Sequence, residues 1–408
     1  MNAKFIEEKY GVKLKTNYEY EHGTLILGYD FYSSTNKRKS FVKSETLKTY
    51  SDGNSYINLN PEDRKPVINS VNINLTKESH GIYAFNKYEL TDNLDFTSGI
   101  RGEYTSYSGN RKNGPNSMPF IAAKTQEIET DRNLTNYAGE IGALYKYRDT
   151  GNIFLRYERG FVTPFATQLT DKIHDNQLKN PDTGIITPPI VNVASIYVAN
   201  NLNSEITDTI ELGVNDYIFN SLFSLSFFVT DTEDEITLIE SGVTNPAIKR
   251  WKYRNIGKTR RMGLELQTEQ YFDKLKLNQS LSLVNAKVLK GDSDININKN
   301  DKIPMVPEMK ITLGAKYSLT DRLSLLANYT YISEKEVREL DDKDNIKKFT
   351  IDSYGTIDLS TLYQIDEYSN LKLGVKNLTS TKYNLRETSI EAFPAPERNY
   401  FIELNVKF

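Results

Sequence analysis

The chain has 408 residues, 26% of them charged, with 51 Lys and Arg against 54 Asp and Glu, a formal net charge of -3 and no cysteine. That balance gives no electrostatic reason to expect a nucleic-acid partner, and the absent thiols exclude disulfides, thiolate metal sites and cysteine nucleophiles. No apolar run exceeds about five residues, whereas a membrane-spanning helix needs roughly twenty.

In chain order, alternation and turn chemistry predict about fifteen strands, near residues 12–20, 23–32, 71–90, 94–107, 133–148, 152–161, 204–219, 222–237, 250–271, 275–290, 305–318, 323–333, 350–364, 370–378 and 398–408. In the second, the odd positions Leu25, Leu27, Tyr29 and Phe31 are apolar, and in the eighth so are Phe223, Leu225, Phe227 and Val229. The period returns at Leu281 and Leu283, at Ile311, Leu313 and Tyr317, and at Leu323, Leu325, Tyr329 and Tyr331. A period of two puts these residues on one strand face. Intervening residues such as Ser224, Lys276, Asn278, Lys316 and Asn328 would be costly in a dry core, so the second face meets water. The 27 Tyr and 18 Phe suit strands with one apolar and one wet face.

Short connections such as Arg148-Asp149-Thr150-Gly151 and Phe219-Asn220-Ser221 alternate with long ones, roughly 33–66, 108–132, 162–203, 238–247, 291–303, 334–349 and 379–397. The 13 prolines fall in or at the edges of the long ones, as expected for residues that cannot donate to a ladder. Tight turns at one rim and long loops at the other describe an outer-membrane β-barrel. The fold class is therefore all-β, a transmembrane antiparallel β-barrel, with residues 1–408 as one domain.

LKLGVKNLTSTKY (Leu371 to Tyr383) and PERNYFIELNVKF (Pro396 to Phe408) resemble the closing hairpin of TonB-dependent outer-membrane receptors. YRNIGKTRRMGLELQTEQYF (Tyr253 to Phe272), RYERGFVTPFATQL (Arg156 to Leu169), NNLNSEITDTIELGV (Asn200 to Val214) and HGIYAFNKYELTDNLDFTSGIRGEY (His80 to Tyr104) are similar to four further segments of that family, in the right order. The match departs at Val162 and Thr163, where the family has arginine and alanine, and at Asn200 and Ser204, where it has prolines.

The resemblance implies a 22-stranded barrel closed by an N-terminal plug, of which these fifteen strands would be the eighth to the last. The expectation is thus a barrel incomplete on its N-terminal side, with neither plug nor signal peptide in MNAKFIEEKYGV. It also implies a cell-outer-membrane receptor for TonB-dependent uptake of an iron chelate, most simply a siderophore. Implied partners are outer-membrane lipid, the barrel-assembly machinery and, through the plug, the TonB complex. The alternatives are a haem receptor or a truncated, non-transporting remnant.

The same resemblance makes Tyr400, Ile402, Leu404, Val406 and the terminal Phe408 an assembly signal, and makes His174, in a long loop, a candidate haem ligand. No catalytic residue or resident cofactor is expected. Asp231, Glu233, Asp234 and Glu235 read as loop and lumen charges rather than a hydrolytic pair. GDSDININKND (Gly291 to Asp301) has Ile297 and Ile303 where a calcium-binding loop needs Gly and Glu.

Overall fold

The computed structural model describes residues 2–44, 47–49, 55–57, 67–113, 126–175, 194–241, 250–291, 297–340, 346–387 and 392–407. Fifteen strands form one antiparallel meander. They are β1 Asn2–Tyr20, β2 Gly23–Ser44, β3 Val67–Thr91, β4 Leu94–Asn113, β5 Gln126–Arg148, β6 Gly151–Val162, β7 Glu205–Ile218, β8 Ser221–Ser241, β9 Arg250–Phe272, β10 Leu275–Lys290, β11 Met309–Ser318, β12 Leu323–Ile332, β13 Tyr354–Gln364, β14 Ser369–Lys376 and β15 Asn399–Val406. Each pairs with the next in sequence. Among the described residues β1 and β15 do not pair with each other, so this barrel wall is open there.

The strand count and order match the sequence reading, but several strands run further than expected. β1 to β5 have 19, 22, 25, 20 and 23 residues, where about 9–11 suffice to cross a bilayer. Stretches read as loop, such as residues 33–44 and 108–113, continue the ladder. Their side chains are nearly all polar, so the alternation that marks a half-buried strand is lost while the backbone pairing persists.

Register assigns the faces. The row Tyr29, Ile82, Gly102, Tyr137 points outward, and Ile82, Ile100, Tyr137, Ile141, Leu155, Ile210 and Leu212 along the wall are exposed. They form an apolar band beginning at the short turns and ending near Tyr104, Tyr157 and Met262, the height of a bilayer core. The opposite face is polar: Arg101 reaches Asp30 at 2.6 and 2.9 Å and Glu103 at 2.5 Å, and Arg156 reaches Glu211 at 2.8 Å. A water-filled lumen accommodates such charges and lipid does not.

The short turns are built locally. Phe219 and Asn220 both have positive φ, 48° and 61°, in a two-residue hairpin loop of the kind whose twist matches its strands. The Asp216 carboxylate, shielded from solvent, joins this turn to the preceding one by accepting from Tyr147 Oη (2.5 Å), Thr150 Oγ1 (3.0 Å) and Arg148 Nη2 (2.7 Å). Near the end of the chain, Asn377 takes φ 51°. Its Oδ1 accepts from the Thr381 amide at 2.9 Å and its own amide donates to Asp358 Oδ1 at 2.8 Å, which gives the KNLTSTK segment a structural reason for its asparagine.

Above the short β11 to β13 stands a hairpin, Lys335–Leu340 paired with Ile346–Ile351. It is tied down at Asp301, which meets Arg338 at 3.0 Å and Lys348 at 3.3 Å. Burial acts to raise the Asp301 carboxyl, but the Asn298 amide and the two cations outweigh it and hold it below the ordinary carboxylate value. A depressed carboxylate stabilises the fold above its unfolded pKa and loses that contribution as pH falls through the folded value. The melting temperature should therefore decline as pH falls below about 4, and Asp301→Asn should flatten that decline; an unchanged acid profile would show that the tie does not contribute.

Candidate functional site

At the end of β6 the chain leaves the wall. Pro164 cannot donate to a ladder, and the following 3-10 turn, Ala166–Leu169, is fixed by the Phe165 amide donating to Gln168 Oε1 at 2.8 Å. The short strand Thr170–Asp175 then pairs with Ala194–Ala199 before residues 200–204 return to β7. This segment folds inward over the upper lumen rather than outward as a free loop.

Apolar burial holds it there. Leu75 on β3, Tyr107 on β4, Leu169 and Leu202 are each 1% exposed and cluster with Ile73 and Ala166. Gly109, φ +132°, lets β3 come close at this point, since a Cβ there would lie 2.1 Å from the Asn74 carbonyl oxygen. Around the cluster, Tyr107 Oη donates to Pro164 O at 2.5 Å, Lys77 Nζ to Thr163 Oγ1 at 2.5 Å, and Arg132 Nη2 to Asn203 Oδ1 at 3.3 Å. Arg111 Nη1 reaches Thr170 Oγ1 at 3.2 Å. Tyr107 and Lys77 lie above the apolar band, and burial pushes the phenol up to about 12 and the ammonium down.

The far side is held by amides. Asn200 donates from its backbone to Leu169 O at 2.7 Å and from Nδ2 to Tyr253 O at 2.7 Å and Gln168 O at 3.2 Å. Asn255 Oδ1 accepts from the Asn203 amide at 2.8 Å, and its Nδ2 donates to Asp234 O at 2.6 Å and Asn203 O at 3.1 Å. The segment thus bridges β3, β4 and β5 to β9. The motifs ending at Leu169, opening at Asn200 and opening at Tyr253, far apart in sequence, meet here. Asn200 and Ser204, where the sequence departs from the prolines of the resembled pattern, lie in this junction; Asn200 supplies donors a proline lacks.

Cations face inward beside the segment. Register places Arg38 beside Ile73 and Arg111, and Lys77 beside Tyr107 and Arg132, on four adjacent strands. The result is a shaped platform with hydroxyl, amide and cationic donors at the outer mouth, suited to holding a ligand. Lys77, Tyr107 and Arg132 were not legible as site residues in the sequence; the only hint was the Pro164 motif, whose partner strands it does not identify.

The other candidates fall elsewhere. His174 lies in the strand Thr170–Asp175, opposite Ser195 in the backbone register, and its side chain lies outside the described residues. Tyr400, Ile402, Leu404 and Val406 share the outward face of β15 and are exposed, and Phe408 lies outside the described residues. Residues 292–296 of the acidic loop also lie outside them. Asp231 is bound by Arg260 at 2.6 and 2.9 Å, Glu233 by Lys258 at 3.1 Å and Glu235 by Arg261 at 2.9 and 3.0 Å, so these carboxylates are held in ion pairs.

Comparison with known proteins agrees with this architecture. Residues 4–378 match the family model described as TonB dependent receptor-like, beta-barrel. The catecholate siderophore receptor Fiu of Escherichia coli is 23% identical over 358 residues, covering 83% of this chain and 43% of the relative. The probable TonB-dependent siderophore receptor PiuA of Acinetobacter baumannii is 22% identical over 367 residues, 86% of this chain and 44% of the relative. The chain thus spans less than half the length of these curated relatives. Among solved structures, that of the copper transporter OprC shares the fold with a TM-score of 0.70 at 14% identity, over 100% of this chain and 57% of that one. With its outward apolar band and polar lumen, this wall is that of an outer-membrane protein, and the chain belongs to the TonB-dependent receptor-like β-barrel family.

Proposed function

We propose that the protein is the barrel part of a receptor for an iron chelate, most simply a siderophore, whose uptake is energised through TonB. The observation that carries this reading is the inward-turned segment, clasped beside Arg38, Lys77, Arg111 and Arg132 at the outer mouth of a barrel of this family. Such a surface favours an anion. A ferric tris-catecholate is one, since three catecholate dianions outweigh one ferric ion, and the names of Fiu and PiuA point to the same ligand class. The exposed face of β15, with Tyr400, Ile402, Leu404 and Val406, is both a lipid-facing surface and the strand that the assembly machinery would read.

The test is binding to the purified receptor of a ferric tris-catecholate, a neutral ferric tris-hydroxamate and haem. The anionic chelate should bind most tightly, with an affinity that falls as salt rises. Haem binding abolished by His174→Ala, with no binding of either chelate, would replace this reading with the haem one. No binding of any of the three would leave a non-transporting remnant.

A further inference from the structure

Phe219 stands where a bulky side chain is least at home. Its φ of 48° lies in the left-handed region, which costs an L-residue about 1–2 kcal/mol and which two-residue hairpin loops normally fill with Asn or Gly. The ring is 96% exposed, so packing within this chain does not offset that cost. Nor is the loop loosely held. Tyr217 Oη donates to Asn220 Oδ1 at 2.7 Å, Asn220 Nδ2 donates to Tyr271 O, and the Tyr271 amide donates to Asn220 O at 3.1 Å. The hairpin is thereby fastened to β9 and presents the ring from a fixed backbone at the rim of short turns, which in barrels of this kind is the periplasmic one.

Beside it the lumen face of the same rim is first apolar and then cationic. Tyr217 and Leu222 lie opposite each other there and are exposed. One step lower, register places Tyr271 opposite Lys276 and Lys276 opposite Lys316; these face the lumen because the neighbouring pair, Leu275 with Tyr317, belongs to the outward row. A cleft of about 230 Å³ lies among Asn220, Tyr271, Lys274, Lys276 and Lys316. Glu269 engages Lys276 at 2.8 Å, and the same ammonium lies 5.0 Å from the centre of the Tyr271 ring. Lys274 and Lys316 have no carboxylate partner among the described residues. Three lysines against Asp273 and Glu269 leave the cleft positive, and like charges directly opposite in a sheet repel, so Lys276 and Lys316 favour an anion between them.

We propose that this corner of the periplasmic rim is a docking site for an acidic segment of a periplasmic polypeptide, with an apolar side chain against Phe219 and Leu222 and carboxylates on Lys316 and Lys274. Charge complementarity selects the acidic partner. The cations face the polar lumen, which acyl chains do not enter, so the anion is a carboxylate of a polypeptide rather than a lipid phosphate. The strain at Phe219 is retained because the ring acts outside its own chain.

The experiment is fluorescence anisotropy of a fluorescein-labelled peptide repeating Glu-Phe-Glu-Ser, titrated with the purified protein in phosphatidylcholine nanodiscs. Wild type should bind it about tenfold more tightly than the same peptide with glutamine for glutamate, a difference of roughly 1.4 kcal/mol, and added salt should narrow the gap. Lys316→Gln should remove most of that preference with an unaltered melting temperature. Phe219→Asn should weaken binding several-fold while raising the melting temperature, because asparagine tolerates the left-handed backbone; a residue serving only the turn would not show that opposition. Lys39→Gln, at the far rim, should leave binding unchanged. No binding of the acidic peptide, equal affinity for the two peptides, or binding indifferent to Lys316→Gln or to Phe219→Asn would overturn the proposal; displacement of the peptide by millimolar inorganic phosphate alone would also do so, as a free-anion site.

Discussion

Tyr107→Ala is expected to destabilise the protein by about 3–5 kcal/mol, the usual cost of deleting a buried aromatic ring, and to release the inward segment from the wall. The ring is 1% exposed and contributes to the cluster that buries Leu75, Leu169 and Leu202. Its hydroxyl is the donor that satisfies Pro164 O. Tyr107→Phe keeps the packing and removes only that bond, so it should cost about 1 kcal/mol. Denaturant unfolding of the two variants separates these contributions, and limited proteolysis should cut between residues 163 and 203 in Tyr107→Ala but not in Tyr107→Phe. If ligand binding survives while the segment becomes protease-sensitive, the platform is not where the ligand sits.

The second large effect belongs to Arg101 in the lumen wall. Its guanidinium bridges Asp30 and Glu103, whose side chains are 21% and 13% exposed. Arg101→Met would leave two carboxylates facing each other in a half-shielded site. Breaking a fully buried pair costs about 3–5 kcal/mol, and partial exposure here reduces that to about 2 kcal/mol. The deficit should shrink on acidification, because protonating either carboxyl removes the repulsion. A double replacement, Arg101→Met with Asp30→Asn, should recover most of the loss at neutral pH. A deficit constant with pH would mean that Arg101 acts through its packing alone.

How much of this the sequence discloses depends on what surrounds each residue. Leu281, Leu283, Ile311 and Leu313 lie between lipid and water, so their alternation is sharp and the strands that hold them were legible. Residues 33–44 have only Phe41 and Val42 as apolar side chains, adjacent rather than alternating, and nothing in Ser33, Ser34, Asn36 or Lys37 distinguishes them from loop. The short hairpin Lys335–Leu340 with Ile346–Ile351 was missed because each strand has six residues, too few to show a period. The site shows the same division. Pro164, Asn200 and Asn255 sit in recognisable motifs, yet that their segments meet is a property of register across several strands. Lys77 and Tyr107 belong to the site only because β3 and β4 are tall enough to reach the level of Pro164.

The heights of the strands have a kinetic consequence. β3 has 25 residues and β12 has 10, so on this part of the wall one side rises about 50 Å further along the strand than the other. The entrance is oblique, and its tall side carries Arg38 and Arg111 at the level of the clasp. An anion drifting past the low side comes under the field of these cations before it makes any contact. Its arrival rate should therefore be steered and strongly sensitive to ionic strength, whereas its dwell time, set by short-range contacts at the platform, should be much less so.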